Sequence, residues 1–147
     1  MIKIAINGAN GHMGQTLARS IEQTGDMTVI AGIDINPGAI KNTFPVFPAY
    51  SDLPETPDVI IDFSRPEALQ GLLEFASEKN IGVVLATTGY TDNDKMMIAK
   101  FAGHIPVFYS ANMSLGVNLQ IELAKKAAGI LGDKFDIEIV EKHHNLK

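Results

Sequence analysis

Three glycines at three-residue intervals, placed directly after an apolar run, constrain the fold of this 147-residue chain more than any other feature. Residues 2–6 read Ile-Lys-Ile-Ala-Ile, which predicts a short buried strand. Gly8, Gly11 and Gly14 follow, and a helical pattern begins beside them. Such glycines permit a tight turn, close approach of the backbone to a pyrophosphate, and close packing of the helix on its strand. The sequence therefore predicts the first βα unit of a dinucleotide-binding domain.

An acidic residue follows the next predicted strand at the expected distance. The apolar run 27–33 ends at Asp34, twenty residues past Gly14. In dinucleotide-binding folds, a carboxylate at this place binds the ribose hydroxyls. A strand, glycine array, helix and acid in this order are more specific than the glycines alone. The alternative is a glycine-rich turn that only joins a strand to a helix.

Strands and helices alternate along the rest of the chain. Leu69, Leu72, Leu73 and Ala76 have the spacing of one helix face, and the segment 36–57 is expected to be irregular with one minor strand. Further strands are predicted at 58–63, 82–87, 106–110 and 135–141, and further helices at 15–23, 92–102 and from near 113 to 131. This alternation predicts an α/β fold with a doubly wound, mostly parallel sheet of Rossmann type.

The composition limits the classes of function. A length of 147 residues predicts one domain with a sizeable core, and a net charge of −5 without a Lys/Arg cluster argues against a nucleic-acid surface. The absence of cysteine excludes disulfides and thiolate chemistry. No apolar run approaches the roughly 20 residues of a membrane span. We therefore expect a cytoplasmic protein without membrane or nucleic-acid partners.

Small and polar residues follow the predicted strands, at the edge where an open parallel sheet binds ligands. Their hydroxyls and amides suit a carboxamide, a ribose or a pyrophosphate. For residues 87–89 and 110–112, capping of the helices that follow is an equally simple explanation. The segments are 8–13, 34, 63–65, 87–89 and 110–113.

The stretch 141–147, Glu-Lys-His-His-Asn-Leu-Lys, carries a second group of chemically active side chains. Histidine is the usual general acid or base near neutral pH, and Lys147 offers a positive charge or a proton to an anionic substrate. A metal site would need a third ligand, for which Glu141 and His104 are the candidates, and adjacent histidines point apart along an extended chain. No metal is therefore predicted. The alternative is a solvated polar tail.

Five motifs along the chain resemble dihydrodipicolinate reductase, the 4-hydroxy-tetrahydrodipicolinate reductase of the diaminopimelate route to lysine. They are the segments 8–14, 62–67, 87–89, 110–118 and 138–147. The resemblance implies an oxidoreductase that transfers a hydride from NADH or NADPH to a cyclic dicarboxylate with loss of water. It implies that His143 is the catalytic proton donor and acceptor, that His144 contacts substrate, and that Lys147 donates a proton and meets a substrate carboxylate. The implied cofactor-binding residues are Gly8, Ala9, Asn10, Gly11, His12, Met13, Asp34, Phe63, Ala86, Thr87, Thr88, Ser110, Ala111, Asn112 and Met113.

Two departures from the family pattern modify these expectations. The family usually has arginine where His12 stands, so His12 together with Asp34 favours NADH over NADPH. The family also continues into a substrate-binding, tetramer-forming domain. We therefore expect residues 1–141 to be the dinucleotide-binding domain and 142–147 to begin a substrate-domain segment. The complete family protein is expected to be a homotetramer, and this chain a monomer or weak dimer.

If the resemblance is correct, we expect this chain to bind cofactor but to turn over substrate poorly alone, because little would position the substrate or exclude water. Two other functions stay open. A non-catalytic dinucleotide-binding module would instead carry residues 143–147 as a surface tail. Another Rossmann oxidoreductase with a different substrate would share the His-His-x-x-Lys pattern by chance.

Overall fold

A computed structural model describes residues 1–140, and residues 141–147 lie outside the described part. The chain divides into two compact units, Met1–Ala111 and Asn112–Lys147. The predicted domain boundary at 141/142 involves residues outside the described part, so it stays a prediction. Within residues 1–140, no helix combines the length and the apolar character needed to cross a membrane.

The first unit is built on a six-stranded sheet. Its strands are β1 Ile2–Asn7, β2 Met27–Ile33, β3 Val46–Phe47, β4 Val59–Asp62, β5 Gly82–Leu85 and β6 Val107–Tyr109. Its helices are α1 His12–Ile21, α2 Leu69–Lys79 and α3 Asp92–Phe101. The strand order is β3-β2-β1-β4-β5-β6, and every neighbouring pair is parallel. The predicted doubly wound α/β fold is confirmed. The order changes direction between β1 and β4, where such sheets open a crevice for ligands.

Helices cover both faces of this sheet. Ile4 and Ile6 of β1 pack with Ala18 and Ile21 of α1 in one apolar cluster. Ala5, which points to the opposite face because side chains alternate along a strand, belongs to the second cluster. That cluster includes Leu69, Leu72, Leu73 and Ala76 of α2, each at most 1% exposed. The predicted buried face of α2 is therefore confirmed.

Several boundaries and one strand differ from the prediction. The minor strand expected within 36–57 is β3. Strands β4, β5 and β6 are each shorter than predicted, which places residues 86 and 87 in a loop.

In the second unit, helix α4 spans Leu115–Leu131, and the Ser114 side chain caps it by accepting from the Val117 amide at 3.3 Å. The strand predicted at 135–141 is wrong over its described part, 135–140. Alternating apolar residues favour a strand, but the described remainder of this unit, α4 and a short 3₁₀ turn, offers no strand to pair with.

Candidate functional site: a glycine turn, an acidic strand end and a buried carboxylate

The glycine turn is closely packed at each of its three glycines. Gly8 has φ +78°, and a Cβ added there would lie 2.7 Å from the carbonyl oxygen of Phe63. A Cβ at Gly11 would lie 3.2 Å from the Gly8 carbonyl oxygen, and one at Gly14 would lie 2.9 Å from the Ala9 Cα. All three distances are shorter than ordinary contacts. The turn therefore needs glycine at positions 8 and 14, where a Cβ would overlap backbone atoms, and is tightly packed at Gly11.

The amino end of α1 presents open backbone amides beside this turn. Gly11 occupies the N-cap, so no side chain caps the helix, and its first turn contains no acidic residue. The first-turn amides of any helix have no partner within the helix. His12 and Met13 are exposed here, whereas Gly14 is buried against the turn. This combination of open amides and a bare glycine backbone fits the pyrophosphate of a dinucleotide.

Asp34 lies just after β2 and fastens the glycine turn. One oxygen of its half-buried carboxylate accepts from the Asn10 amide at 3.0 Å, and the other accepts from the Asn36 amide at 3.0 Å. A carboxylate has about four acceptor positions, so both oxygens retain capacity for ribose hydroxyls. No Lys or Arg of the described residues is ion-paired with Asp34. A carboxylate without a described cationic partner thus lies at the position predicted to bind ribose.

A chain of side-chain amides holds the turn in place from the outside. Asn42 donates to the Asn10 side-chain oxygen at 2.8 Å and accepts from Gln15 at 2.6 Å. Gln15 also donates to the Ala9 carbonyl at 2.9 Å. These bonds connect α1, the glycine turn and the loop after β2, and they give the irregular 36–57 segment a structural role.

A fully buried carboxylate, Asp62, lies at the end of β4 and is 1% exposed. Its Oδ1 accepts from the Asn7 side-chain amide at 2.7 Å and from the Ser64 hydroxyl at 2.5 Å and amide at 3.2 Å. Its Oδ2 accepts from the Thr87 hydroxyl at 2.7 Å and the Tyr90 phenol at 3.1 Å. The carboxylate therefore joins the ends of β1 and β4 to the loop after β5. These are the strand ends on both sides of the change in sheet direction.

The phenols near this carboxylate remain protonated. Burial, and then the charge of Asp62, raises the pKa of Tyr90 well above its usual value. The same two causes raise the pKa of Tyr50, whose ring stacks on Phe75 with centroids 5.4 Å apart. Since Tyr90 is neutral at ordinary pH, its hydroxyl donates to Asp62 rather than repelling it.

The remaining predicted residues divide into three groups. Phe63, Ala86 and Ser110 are half-buried at the ends of β4, β5 and β6, with Thr88 and Ala111 exposed nearby in sequence, whereas Thr87 is buried with its hydroxyl committed to Asp62. Asn112 and Met113 belong to the second unit, where the Asn112 side chain accepts from the Ser114 amide at 3.0 Å. His143, His144 and Lys147 lie outside the described residues, and their roles stay predictions. Nowhere in the described part do three His, Cys, Asp or Glu side chains form a metal-binding group.

Sequence reasoning missed the cluster around Asp62. It identified the loop residues after β4 and β5, but it assigned no role to Asn7, Asp62 or Tyr90. The available signal was a polar residue at the last position of two buried strands, since Asn7 ends β1 and Asp62 ends β4. A polar group in a buried strand needs a hydrogen-bond partner, so the two could have been paired.

Comparison with known proteins agrees with this geometry. A family model described as "Dihydrodipicolinate reductase, N-terminus" matches residues 2–113. A 4-hydroxy-tetrahydrodipicolinate reductase of Caldanaerobacter subterraneus subsp. tengcongensis is 47% identical over all of this chain and 57% of its own length. The corresponding protein of Clostridium novyi is 38% identical over all of this chain and 58% of its own length. The chain thus spans somewhat more than half the length of these curated relatives.

Solved structures show the same fold. Dipicolinate-bound dihydrodipicolinate reductase from Paenisporosarcina sp. TG-14 matches with a TM-score of 0.74 and 25% identity, over 87% of this chain and 54% of that one. The WlbA dehydrogenase from Bordetella pertussis, solved with NADH and UDP-GlcNAcA, matches with a TM-score of 0.67 over 88% of this chain and 42% of that one. Its identity of 19% shows a likeness of fold alone. With the strand order, the glycine turn and the family match over residues 2–113 in agreement, the chain belongs to the dihydrodipicolinate reductase family.

Proposed function

We propose that this chain is the cofactor-binding part of an NAD(P)H-dependent 4-hydroxy-tetrahydrodipicolinate reductase. The observation that carries the proposal is the glycine turn, which excludes a Cβ at Gly8 and Gly14 and leads into an uncapped helix. The curated relatives that match this chain over its whole length carry the name of that enzyme. The glycine turn and α1 amides would hold the pyrophosphate, and Asp34 would hold a ribose. A bound reduced nicotinamide supplies a hydride.

NADH is the cofactor that the described residues favour. A 2′-phosphate on the ribose beside Asp34 would face a carboxylate that no described Lys or Arg neutralises. Two like charges at this range repel, whereas a free 2′-hydroxyl can donate to the carboxylate. His12, which stands where the family usually has arginine, is exposed at the start of α1. An imidazole lacks the permanent charge and the five N–H donors with which a guanidinium binds a phosphate.

The experiment compares Asp34→Asn with Asp26→Asn, because the two residues lie at opposite ends of β2. Calorimetry gives the Kd of NADH and of NADPH for each variant. We expect the unaltered chain and Asp26→Asn to bind NADH more tightly. Asp34→Asn should lose about tenfold of that preference, because the repulsion of the phosphate is removed. An unaltered preference in Asp34→Asn would contradict the assignment of this carboxylate to the ribose.

Three residues outside the described part complete the proposed reaction. We assign proton transfer to His143 and the protonation and charge pairing of the dicarboxylate to Lys147, with His144 as a further substrate contact. Histidine and lysine suit these roles because one titrates near neutral pH and the other is a compact cation. The support is the motif at residues 138–147 and the names of the relatives.

The test of catalysis uses a full-length family protein that contains this sequence. His143→Gln and Lys147→Met should each lower kcat about 100-fold or more with the NADH Kd nearly unchanged, as expected when a general acid is removed. His104→Gln, in an exposed turn before β6, is the matched histidine control. Normal turnover in His143→Gln, with NADH still bound, would favour a non-catalytic role for the 143–147 segment.

Other expectations remain proposals of the same kind. They are poor turnover by residues 1–147 alone, a homotetramer for the complete family protein with a monomer or weak dimer for this chain, and a cytoplasmic location.

A further inference from the structure

The charge of Asp62 is buried without a cation. All five groups that donate to it are neutral, and no described Lys, Arg or His is ion-paired with it. Burying an ionised carboxylate is costly even when it is well hydrogen-bonded. The residue ends β4, beside the point between β1 and β4 where the strand order reverses and the sheet opens a crevice.

A carboxylate accepts hydrogen bonds and cannot donate them, so it fixes the direction of its partners' bonds. A hydroxyl has one proton, and those of Ser64 and Thr87 point at Asp62 from 2.5 and 2.7 Å. The other acceptor near the Ser64 hydroxyl, the Arg65 carbonyl, is 3.5 Å away. The half-buried Ser64 oxygen also accepts from Asn7 at 2.9 Å. Toward any further group it can therefore act only as an acceptor.

The topology indicates which half of a dinucleotide meets these groups. The pyrophosphate is assigned to the glycine turn after β1, and one ribose to Asp34 after β2. A dinucleotide extends across the sheet in both directions from its pyrophosphate. Because the ribose at Asp34 is the one that carries the 2′-phosphate in NADPH, the half that lies toward β4 and β5 is the nicotinamide nucleoside. Ser64 and the loop that contains Thr87 follow those strands.

We propose that Asp62 is a positioning residue that holds Ser64 as a hydrogen-bond acceptor and places a buried negative charge at this end of the crevice, and so selects the carboxamide and the oxidised, cationic ring of a nicotinamide. The proposal rests on the proposed function. A phosphate or carboxylate in the place of the carboxamide would find no donor from Ser64 and would be repelled by Asp62. The nicotinamide ring becomes positive when it gives up its hydride, so the charge of Asp62 favours the ring in the state that hydride donation produces.

The first test measures the Kd of NAD⁺ and of NADH by calorimetry for the unaltered chain, Asp62→Asn and Asp58→Asn. Asp58 is the matched control because it is exposed just before β4, at the opposite end of the strand. Asn at 62 can still accept from Asn7 and Ser64 and can donate to the oxygens of Thr87 and Tyr90 after their hydroxyls rotate, so it removes the charge with little change of shape. We expect Asp62→Asn to weaken NAD⁺ about fivefold more than NADH. Asp58→Asn should leave the ratio of the two constants unchanged.

A second test does not depend on the folding of Asp62→Asn. The 3-acetylpyridine analogue of NADH replaces the carboxamide by a methyl ketone, which cannot donate to Ser64. The unaltered chain should bind this analogue about fivefold more weakly than NADH, and Ser64→Ala should abolish the difference. Equal affinities in the unaltered chain would overturn the acceptor assignment, and a parallel loss of NAD⁺ and NADH in Asp62→Asn would reduce Asp62 to a structural role. A folded unaltered chain that binds neither nucleotide would instead overturn the proposed function, and this inference with it.

Discussion

The same substitution, glycine to alanine, should have opposite effects in two helices of the first unit. Gly14 and Gly71 are each the third residue of their helix, α1 and α2. At Gly14 the new Cβ would lie 2.9 Å from the Ala9 Cα and carbonyl oxygen, and closer still to the Gly8 carbonyl oxygen. At Gly71 the nearest atom is a ring carbon of Tyr50, 3.9 Å away. Gly14→Ala must therefore displace the glycine turn, whereas Gly71→Ala fits.

The magnitudes follow from packing and helix propensity. Ordinary contacts of a Cβ begin near 3.4 Å, so Gly14→Ala needs a backbone shift of at least about 0.5 Å in a turn held by hydrogen bonds. Overpacking of this kind costs about 3 kcal/mol, and the better helix propensity of alanine returns about 1 kcal/mol. We expect the free energy of unfolding to fall by about 2 kcal/mol in Gly14→Ala. It should rise by about 0.5 kcal/mol in Gly71→Ala, which is exposed and gains only the propensity.

Urea unfolding followed by tyrosine fluorescence measures both changes in the free energy of unfolding, and it reports on the first unit. The chain has no tryptophan, and its three tyrosines, Tyr50, Tyr90 and Tyr109, all lie within Met1–Ala111. In thermal unfolding followed by the same fluorescence, the Tm of Gly14→Ala should be about 6 °C lower than that of the unaltered chain, and that of Gly71→Ala about 2 °C higher. Equal stabilisation by the two substitutions would refute the claim that the turn excludes a Cβ.

Three further effects follow from the contacts described above. Thr91→Ala removes the capping box that Thr91 and Asp94 form at the start of α3, and should lower the urea-unfolding free energy by about 1 kcal/mol. Burial raises the pKa of Tyr90 in the folded chain, so stability is retained below about pH 10, where unfolded tyrosine ionises, and falls as the pH rises toward the folded pKa. Tyr90→Phe should show a shallower loss of stability in urea unfolding between about pH 9 and pH 11. Asn42→Ala removes the side chain that bridges Asn10 and Gln15 and should weaken NADH about threefold in calorimetry, with nearly normal unfolding.

The fold was predictable where local pattern and tertiary structure agree. The turn at Gly8, Gly11 and Gly14 follows from a strand, a glycine spacing and a helix that are adjacent in the sequence. The buried face of α2 follows from a helical spacing of apolar residues, because the same residues that favour burial also define the helix. Such features need no knowledge of distant segments.

The cluster around Asp62 was not predictable in the same way. Its donors come from the end of β1, the loop after β4 and the loop after β5, and only the folded sheet brings them together. The failed strand at 135–140 has a related cause. Phe135, Ile137 and Ile139 alternate as in a strand, but pairing depends on a partner strand that local pattern does not supply.

The central claim is that the glycine turn and Asp34 bind a dinucleotide, and calorimetric titration of NADH into the 147-residue chain tests it most directly, with NADPH as the paired titration. Saturable binding that is tighter for NADH is the predicted result. A chain that unfolds cooperatively by tyrosine fluorescence, yet binds neither nucleotide, would contradict the claim and leave the glycine turn with a purely structural role.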